Sequence, residues 1–139
     1  MAQQHLTDDC LFCKIIKGDI PSNKIAETDK SYAFLDINPL SEGHTLVIPK
    51  YHAEFFHQVP EDYLADILPL AKKVAIAQGF DQYNLLQNNG PMAHQVVKHV
   101  HFHIIGKPNK EEGLGIVWPQ QQVTQEQLKG TLSKIKEKL

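Results

Sequence analysis

Three histidines at alternate positions, His99, His101 and His103, carry the most evident chemistry in this chain. Val100 and Phe102 separate them, and Ile104-Ile105 follows. In an extended strand successive side chains point to opposite faces. The three imidazoles therefore share one face, and Val100, Phe102 and Ile104 share the other. Imidazole titrates near neutral pH and serves as base, nucleophile or metal ligand. Three in register mark the floor of an active site rather than a solvated strand surface. Two chemistries are open. Two of them with a third ligand can hold zinc in a hydrolytic centre. Alternatively, a neutral imidazole attacks phosphorus and the nucleotidylated histidine is then hydrolysed. Its neighbours would orient it, protonate the leaving group and balance charge on the phosphoryl oxygens.

Cys10 and Cys13 form a second constellation, spaced C-x2-C. The pair can be half of a zinc site, a redox couple or two buried thiols. A redox couple would want a thioredoxin-like strand–helix–strand setting, which the flanking sequence lacks. His94, just before the triad, adds a titratable group to the approaching loop, whereas His5 and His57 read as surface residues.

The elements that must position these groups follow from local pattern. Residues 10–17 read as one or two helical turns stopped by Gly18. Residues 24–27, 32–37, 44–48 and 83–87 read as strands, with Asn38-Pro39 and Pro49 as breaks. The triad strand is expected over 96–105. A helix is expected from Pro60 to Gly79, its acids Glu61 and Asp62 suited to the dipole of the first turn. Leu64, Leu68, Ala71 and Val74 recur there at helical spacing, and Pro69 should bend it. Leu128, Leu132, Ile135 and Leu139 mark an amphipathic terminal helix over about 124–139. These elements predict an α+β fold, an antiparallel β-sheet with helices on one face. They also predict one domain over 10–139 after a flexible tail, residues 1–9.

Composition narrows the partners. The chain has 139 residues and a formal charge of −2, so no basic surface for nucleic acid is announced. No apolar run approaches a membrane span, and the N-terminus lacks a signal-peptide layout. A cytoplasmic protein, also able to enter the nucleus, is expected.

The stretches CLFCKII, YAFLDI, EGHTLVIPKYH, LLQNNG and HVHFHII, in that order and followed by Trp118-Pro119, resemble the histidine triad (HIT) superfamily. The signature there is His-φ-His-φ-His-φ-φ with φ apolar, and His99 to Ile105 meets every position. The resemblance is closest to the Hint branch, the nucleoside phosphoramidases. It implies a HIT-like fold and hydrolysis of the P–N bond of adenosine 5′-phosphoramidates, and of acyl-adenylates, to AMP through a nucleotidyl-histidine. It implies His101 as nucleophile, His103 at the phosphate and leaving group, His99 behind them and His44 as a supporting fourth histidine. Asp36 would hold the ribose hydroxyls, and Asn88, Gln95 and Val96 would border the nucleotide. The family usually carries Ser or Thr where this chain has Val96, and Gly where it has His94. The resemblance further implies structural zinc on Cys10, Cys13, His52 and His99, no catalytic metal, and a homodimer. The dimer face would be the Pro60 helix, with Trp118 near the partner's site. A purine nucleoside monophosphate is the implied ligand class. Rival readings are a dinucleoside polyphosphate hydrolase, a nucleotide-binding regulatory protein, or a catalytic metal centre on the three histidines.

Overall fold

A computed structural model describes residues 5–139. Five strands form one antiparallel sheet in the order β1-β2-β3-β5-β4. They are β1 (Lys24–Glu27), β2 (Ser31–Leu35), β3 (Thr45–Pro49), β4 (Tyr83–Gln87) and β5 (Phe102–Gly106). Three helices accompany them: α1 (Leu11–Lys17), α2 (Glu61–Gln78) and α3 (Gln125–Glu137).

Strand alternation splits the core in two. Ala33, Val47, Phe102 and Ile104 point to one face, where Ile67, Leu70, Ala71 and Val74 of α2 cover them. Phe34, Leu46 and Ile48 point to the other, where Phe12, Cys13 and Ile15 of α1 pack. The expectation of helices on one face thus holds for the long α2. The two-turn α1 lies across the sheet from it, because its apolar residues and thiols pack on the histidine side. In α2, Leu68 is half exposed rather than core; Ile67 and Leu70 take that position.

Helix ends follow the residues expected to make them. Gly18 and Gly79 both take left-handed backbone, φ 85° and 70°, and their N–H groups close the last turns. Such a cap is open to Gly because it has no Cβ to clash. α3 starts on a capping box, with Thr124 and Gln127 each bonding the other's backbone N–H. Its apolar stripe, Leu128, Leu132 and Ile135, stays about half exposed. Among the described residues, no helix is long and apolar enough to cross a membrane.

The N-terminal segment expected to be a tail lies partly outside the described residues, which begin at His5. From there on it lies against the body. The His5 carbonyl accepts from the His52 backbone N–H at 2.7 Å, and the His5 ring stacks on Tyr51.

Candidate active site

The triad strand is shorter than its sequence suggests. Pairing begins at Phe102, so His99 and His101 precede the ladder and only His103 lies within it. The alternation survives nonetheless. Val100 N–H bonds the Ala53 carbonyl at 2.8 Å, which keeps the chain extended as it approaches the sheet. Val100, Phe102 and Ile104 enter the α2 core while the histidines turn to the other side. His103 sits opposite both Leu46 and Leu86, flanked on the same face by β3 and β4. The Phe12 ring of α1 meets His99 and His101 edge-on, at 5.9 and 5.1 Å between centroids.

Each imidazole is tied to a different partner, and those partners fix where its proton sits. His101 Nδ1 lies 2.7 Å from the His99 carbonyl. A carbonyl only accepts, so Nδ1 carries the proton and Nε2 keeps the lone pair. For His44, the Leu40 backbone N–H donates to Nδ1 at 3.1 Å. The His44 proton is therefore on Nε2, which donates to His103 Nδ1 at 2.9 Å. That leaves the proton of His103 on its Nε2. His99 Nε2 lies 2.9 Å from the Pro49 carbonyl, so it donates there and its Nδ1 lone pair is free.

Burial is the main influence on these rings. It lowers the basicity of His44, against the opposing pull of the Asp36 carboxylate 3.5 Å away. It lowers His101 as well. It pushes His103 down to about 4, helped by the positive charge that His101 and His44 would carry. All three are neutral near pH 7. Asp36, His44 and His103 also lie close enough to count as a metal set. The Leu40 N–H argues for a hydrogen-bonded relay instead. It holds the proton of His44 on Nε2, the atom a metal would need.

The loop that positions His44 is braced from several sides. The Asp36 N–H bonds the His44 carbonyl at 2.9 Å, and Ser41 Oγ donates to the Gly106 carbonyl at 2.7 Å. Gln78, at the end of α2, donates to the Gly43 carbonyl at 2.8 Å. Gly43 has φ 84°, and a Cβ there would meet Gln78 Oε1 at 2.6 Å, so the turn into β3 needs glycine.

A cavity of about 450 Å³ opens over these groups. Asp36, His44, Asn88, Val96, His101 and His103 line it, as expected, and so does His94. Asn88 also donates to the His94 carbonyl at 3.3 Å, tying its strand end to the loop. Two expected site residues stand apart from the cavity. His99 is buried behind the other two. Gln95 is turned inward: its Oε1 accepts from Gly90 N–H, and its Nε2 donates to the Glu54 and Val97 carbonyls. With both ends of the amide occupied, Gln95 shapes the loop rather than touching a phosphate. Trp118 is well exposed and outside the cavity.

The cysteines meet two histidines. Cys10 Sγ is 3.3 Å from His99 Nδ1, and Cys13 Sγ is 3.5 Å from the Nδ1 atoms of both His99 and His52. The neighbouring Cys10 and then His99 hold the Cys13 thiol below its usual value, while Cys13 and burial push Cys10 up. All four donor atoms lie within 4.8 Å of one another, with both sulfurs buried. Two S and two N donors suit zinc. The Pro49 carbonyl orients His99 with its lone pair toward the sulfurs, the outer support such a ligand needs. The residues fit a structural zinc.

Sequence reasoning missed the Leu40 N–H and the His99 and Pro49 carbonyls, which decide every tautomer. No side-chain signal marks them. It also missed Phe12 as the wall against His99 and His101.

Known proteins share this fold and sequence. Residues 17–110 match the family model described as the HIT domain. Adenosine 5′-monophosphoramidase hnt1 of Schizosaccharomyces pombe is 57% identical over 130 residues, covering 94% of this chain and 98% of its own. A crystal structure of a histidine triad nucleotide-binding protein from Candida albicans is 49% identical, with TM-score 0.87 over 94% of this chain and 96% of that one. A HIT-family structure from Bacillus subtilis reaches TM-score 0.90 at 39% identity, over 95% of this chain and 98% of its own.

Proposed function

This chain belongs to the HIT domain family, and from that premise we propose that it hydrolyses the P–N bond of adenosine 5′-phosphoramidates to AMP, with His101 as the covalent nucleophile. The observation that carries the reading is the 2.7 Å bond from His101 Nδ1 to the His99 carbonyl. It leaves a neutral Nε2 lone pair on a ring that lines the cavity, as attack on phosphorus requires.

His101 Nε2 forms a bond to phosphorus, and the P–N bond breaks. The leaving nitrogen takes one proton and departs as the amine. His103 presents its Nε2–H to the phosphoryl oxygens and the leaving nitrogen, stabilising charge as it develops. His44 fixes that orientation from behind. Water then attacks the nucleotidyl-His101, the N–P bond breaks, the lone pair returns to Nε2 as AMP leaves, and the proton that water gives up replaces, through solvent, the one the amine took. Asp36 offers a carboxylate to the ribose hydroxyls.

The reading extends to a structural zinc held by Cys10, Cys13, His52 and His99. Such an ion would cross-link α1 to the start of the triad segment and supply rigidity behind the nucleophile. It includes a homodimer. Tyr83 and Leu85 stand half exposed on the edge strand β4, and Leu68 and Ile76 on α2. An open edge with apolar side chains favours pairing with a second copy. The reading takes 10–139 as one domain. It also carries a cytoplasmic and nuclear location, for which two free buried thiols are suited.

Turnover of an AMP–lysine phosphoramidate by wild type and His101→Ala tests the core claim. AMP release should fall by at least about 1000-fold in the variant. Release at the wild-type rate would overturn the mechanism.

A further inference from the structure

His94 is the one non-glycine residue with positive φ, 67°, among the described residues. Left-handed backbone costs an ordinary side chain on the order of 1 kcal/mol and costs glycine almost nothing. His94 has no packing role to offset this, since it is exposed. Its backbone is nevertheless held firmly. The N–H bonds the Pro91 carbonyl at 3.0 Å, and the carbonyl accepts from Asn88. Among the described residues only that backbone is engaged, and the ring makes no hydrogen bond. The fold thus accepts strain to fix the backbone that carries this imidazole.

That place is the wall of the cavity that His101 and His103 also line. Two residues on, Val96 also lines the cavity but is apolar and offers no donor. Of the loop residues that line the cavity, His94, Val96 and Val97, only His94 carries a polar side chain. No carboxylate belongs to that loop, which runs Pro91-Met92-Ala93-His94-Gln95-Val96-Val97-Lys98. Its one ammonium is that of Lys98.

We infer that His94 is a specificity-determining residue, receiving an oxyanion, such as a carboxylate, carried by the leaving group of the substrate. An imidazole N–H donates to an oxyanion more strongly than to a neutral group. A fixed backbone limits the ordering cost to the two torsions of the ring itself. This rests on the phosphoramidase reading and adds to it the class of leaving group.

The test pairs two adenosine 5′-phosphoramidates that differ by one carboxylate on the amine, one made from β-alanine and one from propylamine. It compares wild type, His94→Gly and His94→Asn, the last because Asn tolerates the same backbone. The ratio of kcat/KM between the two substrates should fall by about tenfold in both variants, the factor of one charge-assisted hydrogen bond partly open to water. An unchanged ratio in both would overturn the inference. Calorimetric binding of the matching non-hydrolysable 5′-carbamates, with and without the carboxylate, gives the same ratio without turnover. If wild type cleaves neither phosphoramidate, the phosphoramidase reading fails. The carbamate ratio still decides for or against His94: a loss of carboxylate preference in both variants supports it, and equal preference refutes it.

Discussion

His44 Nε2 and His103 Nδ1 lie 2.9 Å apart, and the proton between them belongs to His44. The assignment follows from the Leu40 N–H pointing at the far nitrogen of His44. One backbone amide therefore determines which nitrogen of His103 carries the proton.

Removing His44 should break this chain of donors. His44→Ala leaves the Leu40 N–H and His103 Nδ1 without partners, and His103 is free to take the other tautomer. We expect kcat to fall about 10- to 100-fold, with a stability loss of about 1–3 kcal/mol for the orphaned buried groups. Steady-state kinetics beside urea denaturation separate the two effects. Wild-type kcat in a folded His44→Ala protein would refute the relay.

Acid should affect activity late. Burial holds His101 below the usual imidazole range and His103 at about 4. The lone pair of His101 then survives below pH 6.5, and the acidic limb of kcat/KM should have its midpoint under that value. Titrating kcat/KM between pH 4 and 8 checks this. A midpoint at or above 6.5 contradicts a desolvated nucleophile.

Stability should respond to the same groups in the same sense, beginning at a higher pH. In the unfolded chain these imidazoles bind protons near pH 6.5, whereas the folded protein resists protonation of His103 until about 4. The contribution is whole above pH 6.5 and is lost as pH falls toward 4, because the unfolded state takes up protons first. The urea midpoint should be lower at pH 5 than at pH 7.5. A higher midpoint at pH 5 would contradict the sign.

Zinc should follow the thiols. Purified wild type is expected to hold about one equivalent per chain, and Cys13→Ala to lose it, with a thermal midpoint several degrees lower. Metal analysis of both proteins decides. A full equivalent in Cys13→Ala would show that the four-residue site is wrongly assigned.

Association should depend on the β4 edge. Leu85 pairs with Ile104 across β5 and so projects on the α2 side of the sheet, half exposed. Leu85→Asp places a charge on that surface and should convert dimer to monomer in sedimentation experiments. An unaltered dimer would move the interface elsewhere.

The sequence by itself determined the alternation that puts His99, His101 and His103 on one side. It also determined the glycine stops of α1 and α2, the strand runs, and the family motifs that single out Asp36, His44 and Asn88. These depend on residue type and spacing, which period-two and period-3.6 geometry convert directly into faces. It overran the triad strand by several residues. Extended backbone at Val100 is held by the Ala53 carbonyl rather than by a neighbouring strand, and the two look alike in side-chain pattern. It placed Gln95 at the phosphate, but the tight loop leaves Gly90 N–H and two carbonyls needing partners, and that amide satisfies them. Only tertiary structure brought Cys10 within 3.3 Å of a histidine 89 residues away. Only it assigned the tautomers, because the deciding groups are backbone amides and carbonyls. Every residue carries a backbone carbonyl and nearly every one an N–H, so residue type cannot say which of them will face an imidazole.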